Sequence, residues 1–262
     1  MFCELHLNRY NKNMPINIEG LKHSKVNIEG GGEVIILDTG STITPEASAM
    51  LQALHSRSIG GLESHLKILA AKGPDNFMKN FYVGYGHKSI GDCGSGSIFI
   101  EGVSMLAAKA IQDWPLYSGQ ESSTRYIDFQ IQPFKNPLGT KEGEEILEAY
   151  RTFYIEALEQ TKEFLKKKFP IGEGESENIY IKAISARAFD ILRGFLPAGS
   201  ATNLAWHTNL RQAADKIAIL RHHPLQEVKN TAQALEAALL WLSQIHSDTK
   251  NMRKRRIIIS HG

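Results

Sequence analysis

Only two cysteines, Cys3 and Cys93, occur in 262 residues, far apart and in no metal-ligand spacing. This argues against a disulfide framework and against a structural zinc site, and no metal is expected. No apolar run approaches the ~20 residues that cross a bilayer, so no membrane contact is expected. The leading MFCELHLNRYNKN holds no apolar core of signal-peptide length, and a cytoplasmic, reducing setting follows as the expectation. Neither sign of charge prevails. Lys and Arg number 30 against 28 Asp and Glu, for a net charge of +2. That balance speaks against a general nucleic-acid binder, and the local RKRR near the C-terminus reads as a solvated tail. Internal repeats and low-complexity stretches are also missing. What remains is an ordinary globular composition, 42% hydrophobic, long enough for one substantial core.

Residues 1–32 are polar, rich in Asn, Gly and Lys, and end in GGG. They read as an N-terminal arm before a domain over 33–262. EVIILD is a short buried strand. Thr44 and Pro45 then mark a helix start, an N-cap followed by a first-turn proline. That helix is expected to run to about Ser58. LESHLKILAAKG reads as a second helix stopped by Gly73, and DNFMKNFYVGYGHKS as a third helical or mixed piece. SGSIFIEGV reads as a strand and SMLAAKAIQ as the helix after it. WPLYSGQES is loop-like and TRYIDFQI strand-like. From GEEILEAY onward Leu147, Tyr150, Tyr154, Leu158, Thr161 and Leu165 recur at helical spacing. Further helices are expected over about Ser176–Phe195, over about Thr202–Arg221, and after Pro224. The fold class is α+β, helix-rich with few strands.

Three patches could carry chemistry. GYGHKSIGD, Gly84 to Asp92, combines backbone-permissive glycines with His87, Ser89 and Asp92. Exposed N–H groups at such a place favour a phosphate or pyrophosphate, and a plain helix-entry turn is the competing reading. YSGQESSTRY, Tyr117 to Tyr126, sets an acid, hydroxyls and a base between apolar segments. On a strand, Glu121, Ser123 and Arg125 would share one face. Arg is the natural fork for phosphate, while a Glu–Arg pair inside a sheet would account for the same residues. The third patch is Arg193, Asn209, Arg211 and Arg221. Arginines within apolar helices require anions, supplied either by local acids such as Asp190, Asp215 and Glu227 or by a ligand.

Taken in order, these patches resemble the flavin-dependent thymidylate synthases, the thymidylate synthase complementing proteins. That family's signature is an Arg-His-Arg triplet within a longer pattern ending Glu-x-Ser-x-Arg-Tyr. Glu121, Ser123, Arg125 and Tyr126 match the ending. Gly86-His87-x-Ser89 resembles the flavin loop, with Asp92 where Glu is usual. Ile100 to Ser104 resembles the strand–helix junction ahead of the signature. Arg193-x-x-x-Pro197, Thr208 to Arg211, and Leu220-Arg221 resemble the C-terminal pattern. The likeness runs from roughly Glu33 to Leu240.

The resemblance implies a small antiparallel sheet flanked by several long helices, in a cytoplasmic homotetramer whose sites form where subunits join. It implies a flavoprotein for nucleotide biosynthesis, a methyltransferase that reductively methylates dUMP to dTMP. The cofactor would be FAD, with methylenetetrahydrofolate and NADPH as co-substrates. No enzymic nucleophile attacks the pyrimidine. His87, Ser89, Asn209 and Arg211 would contact FAD. Glu121, Ser123, Arg125, Arg193 and Arg221 would bind dUMP.

The triplet itself departs from the family. Asp113, Trp114 and Pro115 stand where it has Arg-His-Arg, and Ala110 where it often has Gln. A repulsive charge replaces an attractive one, at a potential cost of several kcal/mol near a phosphate. Only Leu225-Gln226-Glu227 is left of the segment after the last Arg. Trp114 either stacks on a flavin or base, or packs a turn. Beside the enzymatic reading stand a paralogous subunit or tandem half that completes sites on a partner bearing the triplet, and a nucleotide or flavin binder without turnover. The apolar IIISHG on a basic stretch suits a chain that originally continued.

Overall fold

The computed structural model describes residues 23–37, 45–56, 62–73 and 88–244. Residues 1–22, the expected cap Thr44, the piece around Gly84 to His87 and the RKRR tail lie outside the described residues. Among the described residues are five strands in one sheet and seven α-helices.

The strands are β1 (His23–Asn27), β2 (Glu33–Leu37), β3 (Ser95–Ser104), β4 (Ser118–Glu121) and β5 (Ala201–Asn209). Their order in the sheet is β1-β2-β3-β5-β4, and every neighbouring pair is antiparallel. β1 lies inside the stretch expected to be an arm, and Ile28 just after it is buried in the core. The GGG that follows makes the hairpin. Gly30, Gly31 and Gly32 all have φ near +90° (88°, 97° and 98°), a region that side chains resist. Gly32 also passes so close to β3 that a Cβ would stand 2.6 Å from the Glu101 carbonyl.

β5 corrects the expected helix over Thr202–Arg221. Thr202, Leu204, Trp206 and Thr208 are buried while Asn203 and His207 are exposed. This period of two is a strand's. Helix begins only at Asn209, whose Oδ1 accepts the Gln212 amide at 2.8 Å as an N-cap. The strand expected at TRYIDFQI is corrected as well. The strand is the four-residue β4 just before it, and Thr124–Tyr126 is a single 3₁₀ turn. Ser123 explains the break: its Oγ accepts the Arg125 amide, an alternative to a ladder bond.

The helices are α1 (Pro45–His55), α2 (Leu62–Lys72), α3 (Met105–Gln112), α4 (Lys141–Lys168), α5 (Glu177–Leu192), α6 (Leu210–Leu220) and α7 (Gln226–Gln244). One face of the sheet, with Val34, Ile36, Ile98, Ile100, Leu204 and Trp206, packs under α3, α6 and α7. Each such side chain fully buried contributes roughly 1.5–3 kcal/mol, so this cluster fixes the ends of β3, β5 and α6 where the candidate residues sit. α4 and α5 pair separately around Phe129, Phe134, Tyr154, Phe189 and Leu192. On α4, Leu147, Tyr154, Leu158 and Leu165 face inward as expected, whereas Tyr150 is 45% exposed. Glu142 and Glu144 in the first turn of α4, and Lys166 to Lys168 in its last, complement the helix dipole.

Candidate functional site

Two groups of candidate residues assemble at different places. The first gathers at the N-terminus of α6. A 3₁₀ turn, Lys88–Cys93, leads into β3 and carries exposed Ser89 and half-buried Asp92. The Leu210 amide donates to the Gly94 carbonyl at 2.9 Å, which docks the start of α6 onto this turn. Gly94 allows it, since a Cβ there would meet the Pro45 carbonyl at 2.3 Å. Arg211 Nε donates to Asp92 Oδ1 at 2.7 Å. The turn that carries Ser89 is thus docked on the start of α6, where Asn209 and Arg211 sit; His87 lies outside the described residues. A helix N-terminus and a guanidinium suit an anion such as a pyrophosphate. Asp92 already offsets part of that positive charge.

The second group lies beyond β4. Glu121 Oε2 accepts from Gln112 Nε2 at 2.7 Å, tying the end of α3 to the edge strand. Tyr117 Oη donates to the Ala205 carbonyl at 2.9 Å. Burial first, and then the charge of Glu121, push that phenol above its usual pKa. Glu121, Ser123 and Arg125 are all exposed, but they share no strand face because the chain turns after Glu121.

Arg125 reaches α5 instead. Asp190 Oδ1 accepts from Arg125 Nε at 3.2 Å and from Nη2 at 2.7 Å, and Oδ2 accepts from Nη2 at 2.6 Å. Arg193 Nη1 stands 3.8 Å from the same carboxylate. Hydrogen bonding to Arg125 holds Asp190 below the ordinary carboxylate range; partial desolvation opposes this, and the charges of both arginines reinforce it. Arg125 also forms part of the wall of a cleft of about 660 Å³ between α4 and α5, whose apolar lining includes Phe129, Tyr154, Leu158, Ile181 and Phe189. Arg221 is held elsewhere, at the end of α6, by Glu236 of α7.

The Asp113-Trp114-Pro115 segment is a turn closed against α6. Trp114 Nε1 donates to Gln212 Oε1 at 2.6 Å. Lys216 Nζ donates to the Asp113 carbonyl at 3.0 Å and lies 5.5 Å from the Trp114 ring centroid. Lys216 is only 3% exposed. Desolvation lowers its pKa, partly countered by the Asp113 charge. The Asp113 carboxylate points to solvent, 3.6 Å from Lys109. Of the two roles open to Trp114, the contacts fit the packed turn.

Sequence reasoning missed Gln212 and Lys216. Their i, i+4 spacing on the apolar α6 is the signal that two polar groups share a buried face. It also missed Gln112, whose tie to Glu121 joins the end of α3 to an edge strand nine positions on. Glu227, from the shortened C-terminal pattern, has a clear structural post. Its carboxylate accepts from Ser104 N at 2.8 Å and Ser104 Oγ at 2.6 Å, at the junction of β3 and α3.

No helix among the described residues is long and apolar enough to cross a membrane. A UPF0159 protein of Chlamydia muridarum (strain MoPn / Nigg) is 29% identical over 170 residues, covering 60% of this chain and 32% of that protein. A UPF0159 protein of Chlamydia pneumoniae is 26% identical over 166 residues, covering 59% of this chain and 31% of that protein. The chain therefore spans about a third of the length of these curated relatives. The model of the family described as thymidylate synthase complementing protein matches residues 42–240, most of the chain. With that match covering β3, β4, β5 and both groups of candidate residues, the chain belongs to the thymidylate synthase complementing protein family.

Proposed function

We propose that this protein is a pyrimidine-nucleotide-binding member of its family that contributes one part of a thymidylate synthase site, the rest coming from a chain that carries the Arg-His-Arg triplet. The reaction of the assembly is the reductive methylation of dUMP to dTMP, with methylenetetrahydrofolate as carbon donor and NADPH as reductant. FAD, when bound, supplies the hydride. Ser89, Asn209 and Arg211, together with the start of α6, would hold its anionic portion. Glu121, Ser123, Arg125 and Arg193 would hold the nucleotide, Arg125 as the phosphate fork and Glu121 and Ser123 as hydrogen-bonding groups. Arg221, being apart from them, would serve a site formed with another subunit. The protein's contribution is positioning and charge stabilisation.

The observation that carries this reading is the closed turn at Trp114. Its indole N–H is committed to Gln212 and the Asp113 carbonyl to Lys216. The segment that would present two cations and an imidazole presents a packed ring and an outward carboxylate. The alternative, turnover by this chain alone, draws support from the exposed Glu121, Ser123 and Arg125.

Visible absorption of the purified protein separates the two. FAD is added and excess removed, with and without dUMP, and then folate and NADPH are supplied. Partial site formation predicts a flavin band or dUMP response with no dTMP produced until a triplet-bearing chain is added. Production of dTMP by this chain alone overturns the proposal. The charge argument adds that Asp113→Arg tightens dUMP binding, checked by titration.

A further inference from the structure

We propose that Asp190 is a resident competitor for the nucleotide's phosphate, so that Arg125 yields its fork only to a ligand bearing a phosphate dianion. The inference rests on the reading of Arg125 as the phosphate contact.

The geometry is that of an anion already seated. Both Asp190 oxygens lie on the Nε–Nη2 edge of Arg125, at 2.6–3.2 Å. This is an edge at which a guanidinium takes a carboxylate or phosphate in parallel hydrogen bonds. Arg193 completes a small cationic cradle around the same carboxylate. The position of Asp190 makes the point sharper. It sits in the last turn of α5, where the negative end of the helix disfavours a carboxylate. Helix stability does not explain it there; the two guanidiniums do.

Two guanidiniums lie against this carboxylate. A phosphate dianion brings more charge than the carboxylate it displaces, whereas a nucleoside or a simple carboxylate does not. Exchange is feasible because the side chains are 49% exposed for Arg125, 39% for Asp190 and 61% for Arg193. A displaced Asp190 meets water and is not stranded as a buried charge. Asp190 thereby sets the charge that an anion must bring to take its place on Arg125, which a monoanionic carboxylate does not exceed.

The test is isothermal titration of dUMP, deoxyuridine and inorganic phosphate into the whole protein, as wild type, Asp190→Asn and Arg125→Ala, with circular dichroism confirming the fold of each. Asp190→Asn keeps the side-chain size and removes the charge. It is expected to tighten dUMP and inorganic phosphate about tenfold, the scale of one strengthened charge contact, and to leave deoxyuridine unchanged. Unchanged or weaker dUMP binding in Asp190→Asn, with dUMP still lost in Arg125→Ala, overturns the competitor role and leaves the nucleotide site standing. Binding of dUMP that Arg125→Ala does not weaken removes Arg125 as the phosphate contact, and the inference with it. Absence of dUMP binding in every variant, Asp190→Asn included, overturns both.

Discussion

Replacing Trp114 with Phe deletes one N–H and keeps an aromatic ring in the turn. The bond lost is the 2.6 Å donation to Gln212 Oε1, in a half-buried setting. Its net worth is about 1 kcal/mol, approaching 2 if the Gln212 oxygen is left without a donor. Lys216, 5.5 Å from the ring, also gives up about 0.5 kcal/mol over a weaker π face. The sum, about 1.5–2.5 kcal/mol, lowers Tm by roughly 3–10 °C for a chain of this size. Thermal and urea unfolding of wild type, Trp114→Phe, Gln212→Leu and the double variant form a cycle with an expected coupling of about 1 kcal/mol. Flavin uptake, read from the same preparations, is expected to stay at the wild-type level, since the indole is occupied by α6. Additivity within about 0.3 kcal/mol, or a loss of flavin band in Trp114→Phe, would refute the packed-turn reading.

Three other outcomes are expected. Lys216 has a lowered pKa in the fold, so the unfolded chain binds more protons between that value and 10.5. Its contribution therefore makes the protein more stable as pH rises through that window. Tyr117 and Tyr154, with raised pKa values, act in the opposite sense above pH 10. The difference between wild type and Lys216→Met in urea unfolding from pH 8 upward isolates the lysine, and a difference that does not change with pH contradicts its burial as a charge. Gly32→Ala combines a φ of +98° with a 2.6 Å approach to the Glu101 carbonyl. A loss of about 1–3 kcal/mol is expected on denaturant unfolding, and wild-type stability would mean the hairpin relaxes freely. Ser104→Ala removes the N-cap of α3 and one donor to Glu227. The expected loss is about 2 kcal/mol, and a value under about 0.5 would show that the junction does not depend on that pair.

Much of the fold was legible wherever a pattern was local. The 3.6 period of α4 and the sequence EVIIL each point to their element without help from the rest of the chain. Legibility failed where two patterns overlapped. ATNLAWHTN is apolar enough to continue into LRQAADKIAIL as one helix, and only pairing with β3 and β4 makes it a strand. SGQE, with one glycine and no β-branched residue, gives little strand signal of its own. It becomes β4 because the edge of β5 offers it backbone partners, and Gly119 lets the two chains approach.

The sequence by itself determined the composition class, the order of its motifs and, through them, the family. Those are properties of residue type and order, and they survive without coordinates. Only the tertiary structure decided what each group touches. Arg125 meets Asp190 across 65 positions of chain, Arg211 meets Asp92 across 119, and Trp114 meets Gln212 across 98. Such pairs are set by how the sheet and helices pack, because a charge or an N–H leaving water takes whichever partner the fold brings within reach.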